Sequence, residues 1–197
     1  MKKFKLAIIG CGRIFNKHFI AIQKLKNKFE IESVCDLNPL KIKKNILNTK
    51  PNIYSSINDL CEKSQADLIV ILTPSGLHFD HIIQTSKFFK NVIVEKPMVM
   101  NTQQAEKIKI HCKKKKINLF IVKQNRFNPA IQKLKQAIDQ KRFGKIFLAT
   151  IRVRWSRNDS YFLQDSWRGT WKFDGGVLAN QASHHVDLLQ WLSGNIK

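Results

Sequence analysis

Lys96 closes the run Val92-Ile93-Val94-Glu95-Lys96-Pro97, which sets an ammonium where a short apolar stretch gives way to proline. Such a stretch reads as a strand, and in open parallel sheets ligands bind at the carboxyl ends of strands. A lysine there can hydrogen-bond a substrate hydroxyl and stabilise negative charge developing on its oxygen. A solvated lysine paired with Glu95 is the plainer alternative. A second group is Asn180-Gln181-Ala182-Ser183-His184-His185-Val186-Asp187. On one helix, Asn180, His184 and Asp187 share a face through i+4 and i+3 spacing, with His185 turned roughly 100° away. An imidazole has a pKa suited to taking a proton from an alcohol. A histidine on an amphipathic helix is as readily explained by packing.

Gly10-Cys11-Gly12-Arg13-Ile14-Phe15 adds a phosphate-binding possibility. The first glycine permits a tight turn, and the second lets backbone N–H groups approach a pyrophosphate at a helix N-terminus. The third position of this fingerprint ordinarily holds Gly or Ala, and here it is Phe15. Asp36 follows 26 residues after Gly10. A carboxylate there accepts hydrogen bonds from an adenine ribose and repels a 2′-phosphate, which favours NAD over NADP. Its alternative role is that of a turn residue before Leu37-Asn38-Pro39.

These groups need a scaffold, and the apolar pattern supplies one. Strands are expected at residues 5–9, 31–35, 67–72, 91–94 and 119–122. Helices are expected at 14–25, 40–47, 57–61, 78–89 and 102–116, the last with Thr102 as N-cap. Strand–helix alternation at this spacing predicts a doubly wound parallel sheet, an α/β fold of Rossmann type. Past residue 123 the pattern changes. A helix is expected over 129–140 and a half-buried strand of period 2 over 145–154. A single helix is expected over 177–192, opened by Gly175-Gly176 and ended by Gly194. The expected domains are 1–122, binding dinucleotide, and 123–197, the start of a second α/β domain with a mixed sheet for substrate binding and oligomerisation.

The chain has 197 residues, with 35 Lys and Arg against 14 Asp and Glu, a net charge of +21. Such a balance admits a polyanion partner, but the lysines spread along the chain as a solvated surface bias does. No zinc-finger spacing or RNP-type aromatic box accompanies them, so no nucleic-acid partner is expected. The arginines other than Arg13 lie between 126 and 168. No run of 18 apolar residues exists, so no membrane span is expected. The apolar stretch after Lys5 breaks at Gly10, too soon for a signal peptide. Cys11, Cys35, Cys61 and Cys112 lie far apart with no CxxC pair, which points to free thiols in a reducing compartment, no metal site and a cytoplasmic location.

Gly10-x-Gly12, Cys35-Asp36-x-Asn38-Pro39, Thr73-Pro74-x-x-x-His78, Glu95-Lys96-Pro97 and Asn180-x-x-x-His184-x-x-Asp187 occur in this order. Together they resemble the glucose–fructose oxidoreductase/inositol dehydrogenase/MocA family of nicotinamide-dependent sugar dehydrogenases, over essentially the whole chain. The resemblance implies Lys96 as the catalytic lysine and His184 as the acid/base. It implies NAD held by Gly10, Gly12, Arg13, Ile14, Asp36, Thr73, Pro74, His78 and Glu95, and often a cis peptide before Pro97.

Lys123-Gln124-Asn125-Arg126-Phe127-Asn128-Pro129, Arg152-Val153-Arg154-Trp155, Asp165-Ser166-Trp167-Arg168-Gly169-Thr170-Trp171 and the segment from Asp174 to His185 are similar to one branch of that family. Its members are the UDP-N-acetyl-2-amino-2-deoxyglucuronate dehydrogenases of surface-polysaccharide biosynthesis. The branch implies oxidation of a sugar C3 hydroxyl to a ketone. Gln124, Trp167 and Arg168 would lie at the cofactor, and Asn125, Arg126, Asn128, Arg154 and Asn180 would join Lys96 and His184 at the nucleotide sugar. Arginine suits such a substrate because its guanidinium pairs bidentately with phosphate and carboxylate. Chains of this family continue beyond the length seen here and usually form homo-oligomers, so much of the second sheet is expected to be missing and oligomerisation is doubtful. The alternatives are a remnant that binds dinucleotide without turnover, or a sugar or inositol dehydrogenase with another substrate.

Overall fold

The computed structural model describes residues 2–38, 42, 46 and 48–194. It divides into two compact units, Met1–Ile121 and Val122–Lys197.

The first unit is built on six parallel strands: β1 (Phe4–Ile9), β2 (Phe29–Cys35), β3 (Asn52–Tyr54), β4 (Leu68–Ile71), β5 (Asn91–Val94) and β6 (Asn118–Ile121). Their order is β3-β2-β1-β4-β5-β6, so the strand order reverses between β1 and β4, where open α/β sheets bind ligands. The central strands β1, β4 and β5 read as nearly continuous apolar runs because both faces are covered, whereas the edge strand β6 stays largely exposed. Ala7, Ile9, Ile69, Ile71, Val92 and Val94 face a core closed by Leu60, Ile82 and Ile108. Leu6, Ile8, Val34, Val70 and Leu72 face a second core closed by Phe15 and Phe19. Leu60, Ile82 and Ile108 belong to α2 (Ile57–Lys63), α3 (His78–Thr85) and α4 (Thr102–Lys115), and the two phenylalanines to α1 (Phe15–Lys24). Asn101, not Thr102, caps α4, its side chain accepting from the Gln104 N–H. An N-cap is extended and accepts from the N2 or N3 amide, and Asn101 has that conformation. Thr102 is already helical. The short strand β3 escaped the sequence pattern because three residues cannot establish a period. The helix expected over 40–47 lies outside the described residues except for Ile42 and Ile46, which are buried in the second core.

The second unit holds α5 (Pro129–Asp139), α6 (Asp159–Leu163), α7 (Gly176–Asn180) and α8 (Ser183–Ser193). Two expectations fail here. Residues 145–154 form no strand, because period-2 patterning makes a strand only when a neighbour takes up its backbone groups. Among the described residues this unit offers no such neighbour. Ile146, Ala149 and Ile151 instead line a cavity with Leu134, Ile138 and Leu192, while Phe147 and Leu148 stay more than 80% exposed. The helix expected over 177–192 is two helices with a break at Gln181 and Ala182. Among the described residues, no helix is long and apolar enough to cross a membrane.

Candidate active site

Gly10 leaves β1 at φ +93°, and a Cβ built there would lie 2.9 Å from the Leu72 carbonyl. Close packing against the end of β4 therefore requires glycine as much as the turn does. Gly12 faces open space, with nothing within 4 Å of a Cβ built on it. Phe15 does not crowd this space, because its side chain is 1% exposed and packs in the core. Ile14 is half-buried and Arg13 exposed. The start of α1 has no side-chain cap, although its Phe15 and Lys17 N–H groups donate to the Gly12 and Ile14 carbonyls. Asp36 follows β2 and accepts from the Cys11 N–H at Oδ2 and from the Asn38 N–H at Oδ1, both at 2.8 Å. Each oxygen keeps a lone pair for a further donor. The open glycine loop, uncapped helix and adjoining carboxylate fit the diphosphate and ribose of a dinucleotide.

The segments after β4 and β5 are tied together by His78. Its Nδ1 lies 2.7 Å from the Pro97 carbonyl oxygen and its Nε2 2.9 Å from that of Thr73. Burial holds this imidazole below its ordinary pKa, against the opposing pull of the two carbonyls. The Thr73 hydroxyl is 2.9 Å from His81 Nδ1, and Pro74 leads into the turn Ser75–Leu77. The Lys96–Pro97 peptide is cis. Glu95 is buried; its Oε1 lies 2.8 Å from His18 Nε2, and its Oε2 accepts the Lys96 N–H. Burial raises the Glu95 pKa, but the His18 hydrogen bond and nearby positive charge outweigh it, leaving the carboxyl below its usual range. Glu95 is thus an anion that fixes the backbone of Lys96.

In the second unit, His184 is 9% exposed and its Nε2 lies 3.4 Å from the Gln124 side-chain nitrogen. With the amide donating, Nε2 is the unprotonated ring nitrogen, the form that a general base needs, and its one lone pair rests on the Gln124 N–H. Arg126 is engaged by Asp187 through two hydrogen bonds. Asn128 caps α5, accepting from the Ala130 N–H, and Asn125 accepts from the Asn128 N–H. Asn180 is buried and donates to Asp174, so it ends α7 and does not share a helix with His184. Arg168 stacks on Trp167 and on Tyr161, and pairs with Asp165. Arg154 is exposed. His18, His81 and Tyr161 were missed in the sequence. A lone histidine in a helix carries no signal until the strand end it meets is known. Among the described residues, no cluster of three His, Cys, Asp or Glu could hold a metal.

Comparison with known proteins decides what this arrangement belongs to. Residues 4–123 match the oxidoreductase family with an NAD-binding Rossmann fold, and residues 131–197 match the GFO/IDH/MocA C-terminal domain. The chain belongs to the GFO/IDH/MocA oxidoreductase family. It is an α/β protein whose first unit is the NAD-binding Rossmann fold and whose remainder begins the family's C-terminal domain. It is similar over 100% of its length to the WlbA dehydrogenase of Chromobacterium violaceum, crystallised with NADH and UDP-GlcNAcA. The identity is 41%, the TM-score 0.95, and 57% of that chain is covered. WlbA of Bordetella pertussis, crystallised with the same two ligands, is 38% identical with TM-score 0.94 and 61% of its chain covered. The rhizopine catabolism protein MocA of Rhizobium meliloti is 26% identical over 98% of this chain and 58% of its own length. The chain thus spans little more than half the length of these relatives.

Proposed function

We propose that the protein acts in NAD-dependent oxidation of the C3 hydroxyl of UDP-N-acetyl-2-amino-2-deoxyglucuronate, or of a close UDP sugar, in surface-polysaccharide biosynthesis. The observation that carries this reading is the 41% identity, over the whole chain, to a dehydrogenase crystallised with NADH and UDP-GlcNAcA. NAD, when bound, supplies the two-electron acceptor. Asp36 takes the adenine ribose hydroxyls, and the Gly10–Gly12 backbone and the start of α1 take the diphosphate. His184 removes the C3 hydroxyl proton at Nε2, where the substrate hydroxyl takes the place of the Gln124 N–H. The Lys96 ammonium donates to the same oxygen and stabilises the negative charge that grows there. Glu95 sets the Lys96 backbone, and Gln124 orients the His184 ring.

The experiment is the rate of NADH formation from the UDP sugar by the parent chain, Lys96→Met and His184→Ala. Each substitution is expected to lose roughly a hundredfold or more, the range for removal of a general acid or base. Two variants at the parent rate would refute the roles.

A further inference from the structure

Arg157 sits in an unusual clamp. Its guanidinium carbon is 5.2 Å from the ring centroid of Trp155 and 5.1 Å from that of Tyr161. One Nη2 proton goes to Gln181 Oε1 at 3.1 Å, and Gln181 in turn donates to the Tyr161 hydroxyl at 2.7 Å. Nη1 donates to the Ser156 carbonyl at 3.2 Å. A guanidinium has five N–H donors, so more than half of this one's donors remain available. Arg126 and Arg168 are each paired with an aspartate. Among the described residues Arg157 is paired with no carboxylate, although it is held on two rings and an amide. An exposed arginine ordinarily loses rotamer freedom when it grips a ligand. Here that ordering is already in place, in a planar fork suited to two oxygens of one anion. Gln181, which holds it, stands between Asn180 and His184 in the break between α7 and α8. Trp155 also meets His185 edge-on at 5.3 Å, and the buried Nδ1 of His185 has no hydrogen-bond partner among the described residues.

We propose that Arg157 is a specificity residue that binds the carboxylate of the uronate ring. This rests on the reading that His184 acts on the sugar ring of a UDP sugar. The charged group closest to a reacting C3 hydroxyl is then the ring's own carboxylate, and Gln181, which anchors the arginine, stands three residues before His184. The diphosphate offers the same pair of oxygens, so the test separates the two.

Calorimetry on the full chain with NAD present measures binding of UDP-GlcNAcA and of UDP-GlcNAc, which shares the diphosphate and lacks the carboxylate. The parent is expected to prefer the acid. Arg157→Gln should weaken the acid by roughly tenfold or more, the scale of a charge-assisted hydrogen bond, and leave UDP-GlcNAc nearly unchanged. Gln181→Glu, which sets a carboxylate on the same Nη2, should give the same loss with Arg157 in place. Equal weakening of both sugars would assign Arg157 to the diphosphate and overturn the proposal. Retained preference for the acid in both variants would overturn it while leaving the proposed reaction standing. A parent chain that binds neither sugar would overturn both.

Discussion

Arg126 grips Asp187 through two hydrogen bonds, Nε to Oδ2 at 2.7 Å and Nη2 to Oδ1 at 2.6 Å. Lys123 adds a second cation, 3.4 Å from Oδ1. Asp187 lies in α8 three residues after His184, and Arg126 lies in the turn Gln124–Phe127 that begins with His184's amide partner. The ion pair therefore fixes the helix and the turn between which His184 is oriented. Arg126, which the family resemblance implies for substrate contact, also has this positioning role through two of its donors.

Asp187→Asn keeps the shape of the carboxylate and removes its charge. We expect a loss of about 1–3 kcal/mol in unfolding free energy, since two cations are left without their partner in a partly buried setting. Arg126→Lys should lose a similar amount, because a single ammonium cannot make both parallel bonds. Urea unfolding of each variant checks this.

The two glycines of the loop should separate folding from binding. Gly10→Ala drives a Cβ into the Leu72 carbonyl at a positive φ and should cost roughly 2–4 kcal/mol of stability, from strain and clash together. Gly12→Ala meets nothing within 4 Å and should melt as the parent does. Its NAD affinity should nevertheless fall about tenfold or more, because the methyl stands where the diphosphate must approach. Thermal melts beside NAD titrations read both effects.

His18→Ala leaves the buried Glu95 carboxylate with one partner fewer. About 1–3 kcal/mol of stability should be lost, and kcat should fall more than KM rises, because the Lys96 backbone loses its anchor. His18→Gln, which can donate from a similar position, should restore most of both. Unchanged kinetics in a destabilised His18→Ala would reduce the contact to packing.

Acid should act in two stages. Glu95 and Asp187 are held below their ordinary pKa values. Their contribution is complete above the unfolded values of about 4 and is lost as pH falls through the lower folded ones. His78 and His81 are likewise depressed, burial being the largest cause for each. Their unfolded forms take up protons from about pH 6.5 downward, so stability begins to fall there. His78→Gln should make the upper limb shallower, leaving the part due to His81, and leave the lower limb unchanged, as unfolding followed from pH 8 to about pH 3 would report.

The fold of the first unit was legible because its central strands are covered on both faces and each helix on one. Burial then writes continuous apolar runs and helical periods directly into the sequence. The site residues set by local backbone demands, such as Gly10, Asp36 and Lys96, could be picked out for the same reason: each stands at a strand end. His18 and Arg157 could not, because their partners are 77 and 24 residues away in Glu95 and Gln181. In the second unit the pattern over 145–154 was real, yet a strand is a property of two segments, and one segment's alternation says nothing about its neighbour. The break at Gln181 was hidden because two short helices in succession keep nearly the same period as one.

The most direct test of the whole account is the fate of the hydrogen at C3 when the chain is mixed with NAD and UDP-GlcNAcA. With deuterium at that carbon, the account predicts NADH that carries the label and a 3-keto sugar in equal amount. A sugar that binds but yields no NADH, or NADH labelled only when another carbon bears the deuterium, would contradict it.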